Sequence, residues 1–247
     1  MTRISILLIL LLLNLGSTAQ TKMRTVDELI NKSDPGWPIV KQWIDKAKNK
    51  VDILPVDTAR AKAALYKSQV TTRSPMGAIV FMTGGLLIDH GWIRILGSGS
   101  AKLTRTLPDW NKGKAFKEFG QPAPFLLIAD DVLGGFFLLN GGEFDNDIGK
   151  VYYLSPDNLE YESLGLSYSE FLTFCFNNSL EEFYKGSRWI NWKKDVAAIS
   201  GDQTFNFYPM LWSKEGKDIN KSTRKAVPVE EQYKLNISFR RQLGLEK

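Results

Sequence analysis

Apolar and polar positions change period twice along this chain, dividing it into a helical part, a strand-rich part and a second helical part. The first part follows an unbroken apolar run, Ile4–Leu13. Thr25 and Glu28 form a T-x-x-E capping box for a short helix, and Pro38 suits the first turn of a second. On that second helix Ile39, Val40, Trp43, Ile44 and Ala47 share one face, and Asp57 is placed to cap a third, alanine-rich helix running to Gln69.

From Met76 the pattern becomes short β-prone runs: "GAIVFM", "LLID", "WIRIL", "PFLLIAD", "GFFLLNG", "KVYYLS" and "LEYESL". Gly-Gly, Asp-His-Gly, Asp-Asp and Pro-Asp-Asn turn signals separate them. No helical pattern intervenes, which predicts an α+β fold: an antiparallel or mixed sheet of meanders flanked by N-terminal and C-terminal helices. Between two strand groups, Gly97–Pro124 reads as a long loop that begins with a flexible strand exit at Gly97–Gly99. Helices return with capping boxes at Ser167/Glu170 and Ser179/Glu182, and Trp189, Ile190, Val196 and Ile199 mark one more. Thr204–Trp212 reads as a late strand, placed at an edge or a bulge by Pro209. A charged linker and an amphipathic helix then close the chain.

The N-terminus changes the picture from a cytosolic to an exported protein. Arg3, the apolar run and the small residues Ser17 and Ala19 make a secretory signal peptide, cut near Ala19/Gln20. The run falls well short of the roughly 20 residues that span a bilayer, so no stable membrane insertion is expected after cleavage. The expected organisation is residues 1–19 as signal peptide, 20–212 as one globular domain, and 213–247 as a linker and helix of the same unit. The single Cys175 lies on an apolar helical face, where an inert buried thiol is expected.

Charge argues against nucleic acid. The chain carries +5, of which Arg3 leaves with the signal peptide and Ser213–Lys247 holds +4, so Gln20–Trp212 is neutral. A neutral body has no excess to focus on phosphates.

Candidate chemistry centres on His90, the one histidine. A nucleophilic mechanism would need it as general base, with Asp89, Arg73 and Asp130 as the cluster to test. Asp89 is its chain neighbour, and on an extended strand the two would point to opposite faces. No Cys/His set suits a metal and no cofactor motif is found, so neither is expected. "GGEFDNDIG" lacks calcium-loop spacing. "GSGSAK" lacks the strand, lysine spacing and helix of a phosphate loop. Asp130, Asp131 and Glu143 supply acids near strand ends that a glycosidase could use, and Trp37, Trp43 and Trp189 fall at core-like positions.

Three stretches, Asp34–Asn49, Gln69–Gly99 and Phe125–Leu172, together with "GDQTFNFYPMLW", resemble the bacterial family DUF2625. That resemblance implies no particular activity. A remoter similarity, carried by Ala129–Gly135, Val151–Leu154 and Ser169–Leu172, is to the SUKH superfamily, whose members include immunity proteins that bind and neutralise toxins without catalysis. It implies a SUKH-like fold and a protein partner, a toxin or another envelope protein. Read from the chain itself, the candidate binding residues are Arg73, His90, Trp92, Asp130 and Asp131. The expected function is an exported, non-catalytic binding module. The alternative is a secreted hydrolase, of carbohydrate for example, that uses the region around His90.

Overall fold

A computed structural model describes residues 22–144 and 147–245, so the signal peptide and its cleavage point lie outside the described residues. Among those described, seven strands pair antiparallel in chain order: β1 (Val51–Ile53), β2 (Gly85–Ile88), β3 (Ile93–Leu96), β4 (Phe125–Asp131), β5 (Phe136–Asn140), β6 (Lys150–Leu154) and β7 (Tyr161–Ser167). A second antiparallel pair joins β8 (Gln203–Tyr208) to β9 (Thr223–Pro228). The helices are α1 (Val26–Leu29), α2 (Trp37–Asp45), α3 (Thr58–Ser68), α4 (Pro75–Met82), α5 (Leu107–Asn111), α6 (Tyr168–Asn177), α7 (Leu180–Phe183), α8 (Trp192–Ala197) and α9 (Val229–Gln242). Short connections at β2–β3 and from β4 to β7 suit antiparallel pairing, whereas α3 and α4 bridge β1 to β2 and α5 bridges β3 to β4. The fold is α+β, and the large sheet is antiparallel throughout rather than mixed.

Helix starts follow the capping signals. Thr25/Glu28 and Ser167/Glu170 form complete boxes, and Asp57 accepts from the Arg60 N–H at 2.8 Å. Ser179 caps α7 through the Glu182 N–H, while the Glu182 carboxylate turns to Lys185. Cys175 is buried, and burial pushes its thiol well above the usual range.

Six expectations are corrected. "GAIVFM" belongs to helix α4, capped by Ser74 and started by Pro75; it is buried nearly all round, so its unbroken apolar run mimics a core strand. Gly97–Ser100 is a buried corner rather than a flexible exit: Ser98 donates to the Thr83 carbonyl through both its N–H and its hydroxyl, and the Gly99 N–H reaches Gly84. The Gly97–Pro124 loop contains α5, whose Asn111 is fully buried and bonds to both the N–H and the carbonyl of Leu127 on β4. Trp189 and Ile190 precede α8 instead of starting it, and Ile190 is 74% exposed; on α2, Ile39 is 41% exposed while Val40 is buried. The charged linker holds strand β9, where half-buried Arg224 and Ala226 alternate with exposed Thr223 and Lys225 before the buried Val227.

The N-terminal layer depends on one close approach. A Cβ on Gly77 would lie 2.0 Å from the Thr71 carbonyl oxygen, so α4 packs onto the preceding turn only with glycine there. Gly77→Ala forces a backbone shift in a closed core and is expected to cost at least about 2 kcal/mol. Urea unfolding measures it, and a loss under about 0.5 kcal/mol would contradict this packing.

Candidate ligand-binding site

β4 ends in two adjacent acids, and strand geometry sends their side chains to opposite faces of the sheet. Both are 0% exposed, so each face must satisfy a buried carboxylate. Asp130 stands in register with Arg94 on β3, which donates to it through Nε at 2.6 Å. Arg105, from the loop before α5, donates from Nη1 to the other oxygen at 2.6 Å. The same Arg105 donates from Nε to Asp202 at 3.0 Å and from Nη2 to the Gly201 carbonyl at 2.8 Å, and lies over the Trp110 ring. One guanidinium thereby joins the large sheet to the segment that leads into β8. Burial opposes the charge on Arg105, but Asp130 and Asp202 leave its pKa raised. Burial likewise pushes Asp202 up, yet the Thr104 N–H and Arg105 hold its carboxyl below the usual range.

Asp131 answers to the other face. Its Oδ1 accepts from the N–H groups of Leu133 and Gly135, both at 2.9 Å, closing the β4–β5 turn. Its Oδ2 accepts from the hydroxyls of Tyr153 at 2.7 Å and Tyr184 at 3.0 Å. The Tyr153 hydroxyl crosses over Gly135, where a Cβ would come within 2.2 Å of it. Burial raises the Asp131 pKa, against the pull of the Tyr153 and Gly135 hydrogen bonds.

His90 occupies a tight turn rather than an extended strand. Asp89 (φ 49°) and His90 (φ 63°) are both left-handed, a conformation unfavourable for non-glycine residues that must be held from outside. Arg188 holds it, donating to Asp89 at 2.5 Å and to Glu181 at 3.0 Å. That guanidinium lies over the rings of Trp92 and Trp192, at 4.8 and 4.4 Å from their centroids. Trp92 is fully buried, packed against Tyr184, Trp189 and Trp192. His90 itself is exposed, edge-on to Trp192 at 6.1 Å.

The residues singled out in the sequence therefore separate. Asp130 and Asp131 lie inside on opposite faces, Trp92 lies in the aromatic cluster, and Asp89 serves the turn through Arg188. Arg73 lies elsewhere, with its side chain 69% exposed and paired to Asp34. Two concave surfaces stand out. A cleft of about 170 Å³ between the sheet and α8 is lined by His90 and Arg94. A groove of about 850 Å³ lies beside α9, with Phe125, Phe144, Tyr152, Tyr161 and Tyr233 in its wall. Phe144 stacks on Tyr152 at 4.5 Å and meets Tyr161 at 4.7 Å. Glu230 pairs with Lys114 at 2.7 Å and with Lys234 at 3.1 Å along one side. Arg240 lies over the Tyr161 ring at 4.3 Å, and Glu143 and Glu160 complete the lining. Among the described residues, no group of three or more His, Cys, Asp or Glu could hold a metal, and no helix is long and apolar enough to cross a membrane.

Comparison with known proteins decides the family. The family model described as "Protein of unknown function DUF2625" matches residues 26–232. The chain belongs to this family. An uncharacterised Haemophilus influenzae protein is 42% identical over 223 residues, covering 90% of this chain and 98% of its own length. The uncharacterised Escherichia coli protein YbfG is 44% identical over 223 residues, covering 88% of this chain and 99% of its own. No solved structure gives a significant match. The DUF2625 match takes in β1 to β9 and both buried carboxylates, and stops early in α9.

The two substitutions at Asp131 separate its charge from its hydrogen bonds. Asp131→Ala strands two backbone N–H groups and two phenols, with an expected loss of about 3–5 kcal/mol. Asp131→Asn keeps an acceptor for the turn and leaves the phenols free to rotate, with an expected loss within about 1 kcal/mol. Because the folded pKa is raised, the native carboxyl loses stability as pH climbs from its unfolded value near 3.9. Asp131→Asn lacks that loss, so its stability relative to the native protein should improve across this window in urea titrations. Equal losses for Ala and Asn, or a relative stability of Asn that declines with pH, would count against the assignment.

Proposed function

We propose that the chain is an exported, non-catalytic binding module, and that the groove beside α9 seats a segment of a protein partner in the envelope. The observation that carries this reading is the groove's chemistry. Its volume lies within the range of ligand sites, and its wall combines five aromatic rings with ionised groups of both signs. Aromatic side chains and arginine are the residues that dominate binding energy at protein interfaces. Glu143 and Glu160 have no ion-pair partner among the described residues, so a segment presenting lysine or arginine beside an apolar side chain complements them.

The resemblance to the SUKH superfamily favours the same class, with the partner a toxin whose action the bound module blocks. Export, read from the N-terminal run, places that encounter in the periplasm or outside the cell. The engagement of Asp89 by Arg188, and of Asp130 by two guanidiniums, supports a non-catalytic His90. A general base of the hydrolase alternative would need an orienting carboxylate, and these two are held by other groups.

Site-specific photo-crosslinking in the envelope tests the reading, with a photoreactive phenylalanine at Tyr161 and, as control, at the exposed Tyr208. An adduct of defined mass from position 161 alone is expected, weakened at least tenfold by Phe144→Ala, in line with about 2 kcal/mol for an aromatic anchor. Adducts from neither position, or equally from both, would refute the groove as the seat. Hydrolysis of an envelope polymer that His90→Ala abolishes would refute the non-catalytic reading.

A further inference from the structure

The cleft under α8 differs in chemistry from the groove, and nothing in the binding-module reading uses it. Its floor is the sheet row formed by Asp52, Leu87 and Arg94, in register across β1, β2 and β3. Lys50, Lys102, Lys193 and His90 stand around it. Arg94 is almost wholly buried, with Nε on Asp130, yet its Nη1 has no hydrogen-bond partner. A buried guanidinium N–H left unbonded is costly, and it points to an acceptor that completes the site.

Charge selects the kind of acceptor. Along the same sheet row, Arg94 and Arg105 are balanced by Asp130 and Asp202. In the cleft itself Lys50 meets Asp52 at 3.2 Å, whereas Lys102 and Lys193 have no carboxylate partner among the described residues. A local surplus of cations therefore surrounds an unsatisfied donor, while residues 20–212 as a whole carry no net charge. Size narrows it further. At about 170 Å³ the cleft has room for a tetrahedral oxyanion.

We propose that this cleft binds a phosphoryl group, as inorganic phosphate or as the head of a small phosphomonoester. Arg94 bonds one oxygen from the floor, Lys102 and Lys193 neutralise the dianion from the rim, and the exposed His90 contributes a ring N–H. Guanidinium and ammonium groups divide the work as they do at other phosphate sites, the first by directed hydrogen bonds and the second as point charges.

Isothermal titration of the purified protein with inorganic phosphate, at constant ionic strength in chloride, reads the proposal. Saturable binding at one site per chain is expected. Lys102→Ala combined with Lys193→Ala should weaken it at least tenfold, while Lys185→Ala, an exposed lysine away from the cleft, leaves it unchanged. Both cleft lysines are exposed, so the double variant should fold, which circular dichroism checks; Arg94→Met is a second variant. A parallel titration with ethyl phosphate separates the sources: tighter binding than phosphate assigns a monoester, and weaker binding assigns the free ion. Absence of saturation by 10 mM in both titrations, or equal affinity in the double variant, would overturn the proposal. Because Phe144 and Tyr161 lie outside the cleft, neither result depends on the crosslinking outcome at the groove.

Discussion

Two neighbouring carboxylates buried on opposite faces of one strand set the terms for the rest of the molecule. Each removes a charge from water, so each must be met by donors supplied from its own side of the sheet. On one side Asp131 gathers the β4–β5 turn, Tyr153 from β6 and Tyr184 after α7. On the other, Asp130 gathers Arg94 from β3 and Arg105 from the loop, and Arg105 extends the bond to Asp202 and Gly201. The two layers are therefore indexed to the same pair of positions, and the docking of β8 follows: the Phe205 N–H bonds to the Val132 carbonyl, and the Thr204 hydroxyl to Asp131 and Val132.

This arrangement divides the polar residues into those that hold the fold and those free to meet a ligand. Asp89, Asp130 and Asp131, which have the residue type for acid–base work, are engaged by guanidinium, hydroxyl or backbone donors. Lys102 and Lys193 of the small cleft and Glu143 and Glu160 of the groove have no ion-pair partner among the described residues. Buried pairing and open recognition surfaces thus coexist on the two ends of the same sheet face, with Arg94 shared between them as a paired group that retains one free donor.

Much of the fold was legible in the chain. Alternation and turn signals gave the meander, and side-chain caps placed the starts of α1, α3 and α6. Periodicity failed where a short helix is buried on every side, as in α4, since a continuous apolar run fits either a helix or a strand; Ser74-Pro75 was the discriminating signal. It failed again at β9, where the adjacent Arg224 and Lys225 on an edge strand look like the charged linker around them. For the site, Arg94 in "WIRIL" carried a readable sign, a charge at an alternating position within an apolar strand. Arg105, Asp202 and Arg188 lie in irregular segments, and the pairs Arg105–Asp130, Arg105–Asp202 and Arg188–Asp89 span 25 to 99 residues, a relation no local pattern encodes. His90 drew attention as the single histidine, but its neighbours in space are the tryptophans of a cluster assembled from distant segments.

Arg105 transmits the buried charge of the large sheet to the β8–β9 unit. Native-state hydrogen exchange of Arg105→Gln, compared with the native protein, tests it most directly. The Phe205 amide and its neighbours on β8 and β9 are expected to exchange at least tenfold faster, while those of β2 and β3 keep their protection. An even loss across both sheets, or unchanged protection in β8, would contradict it.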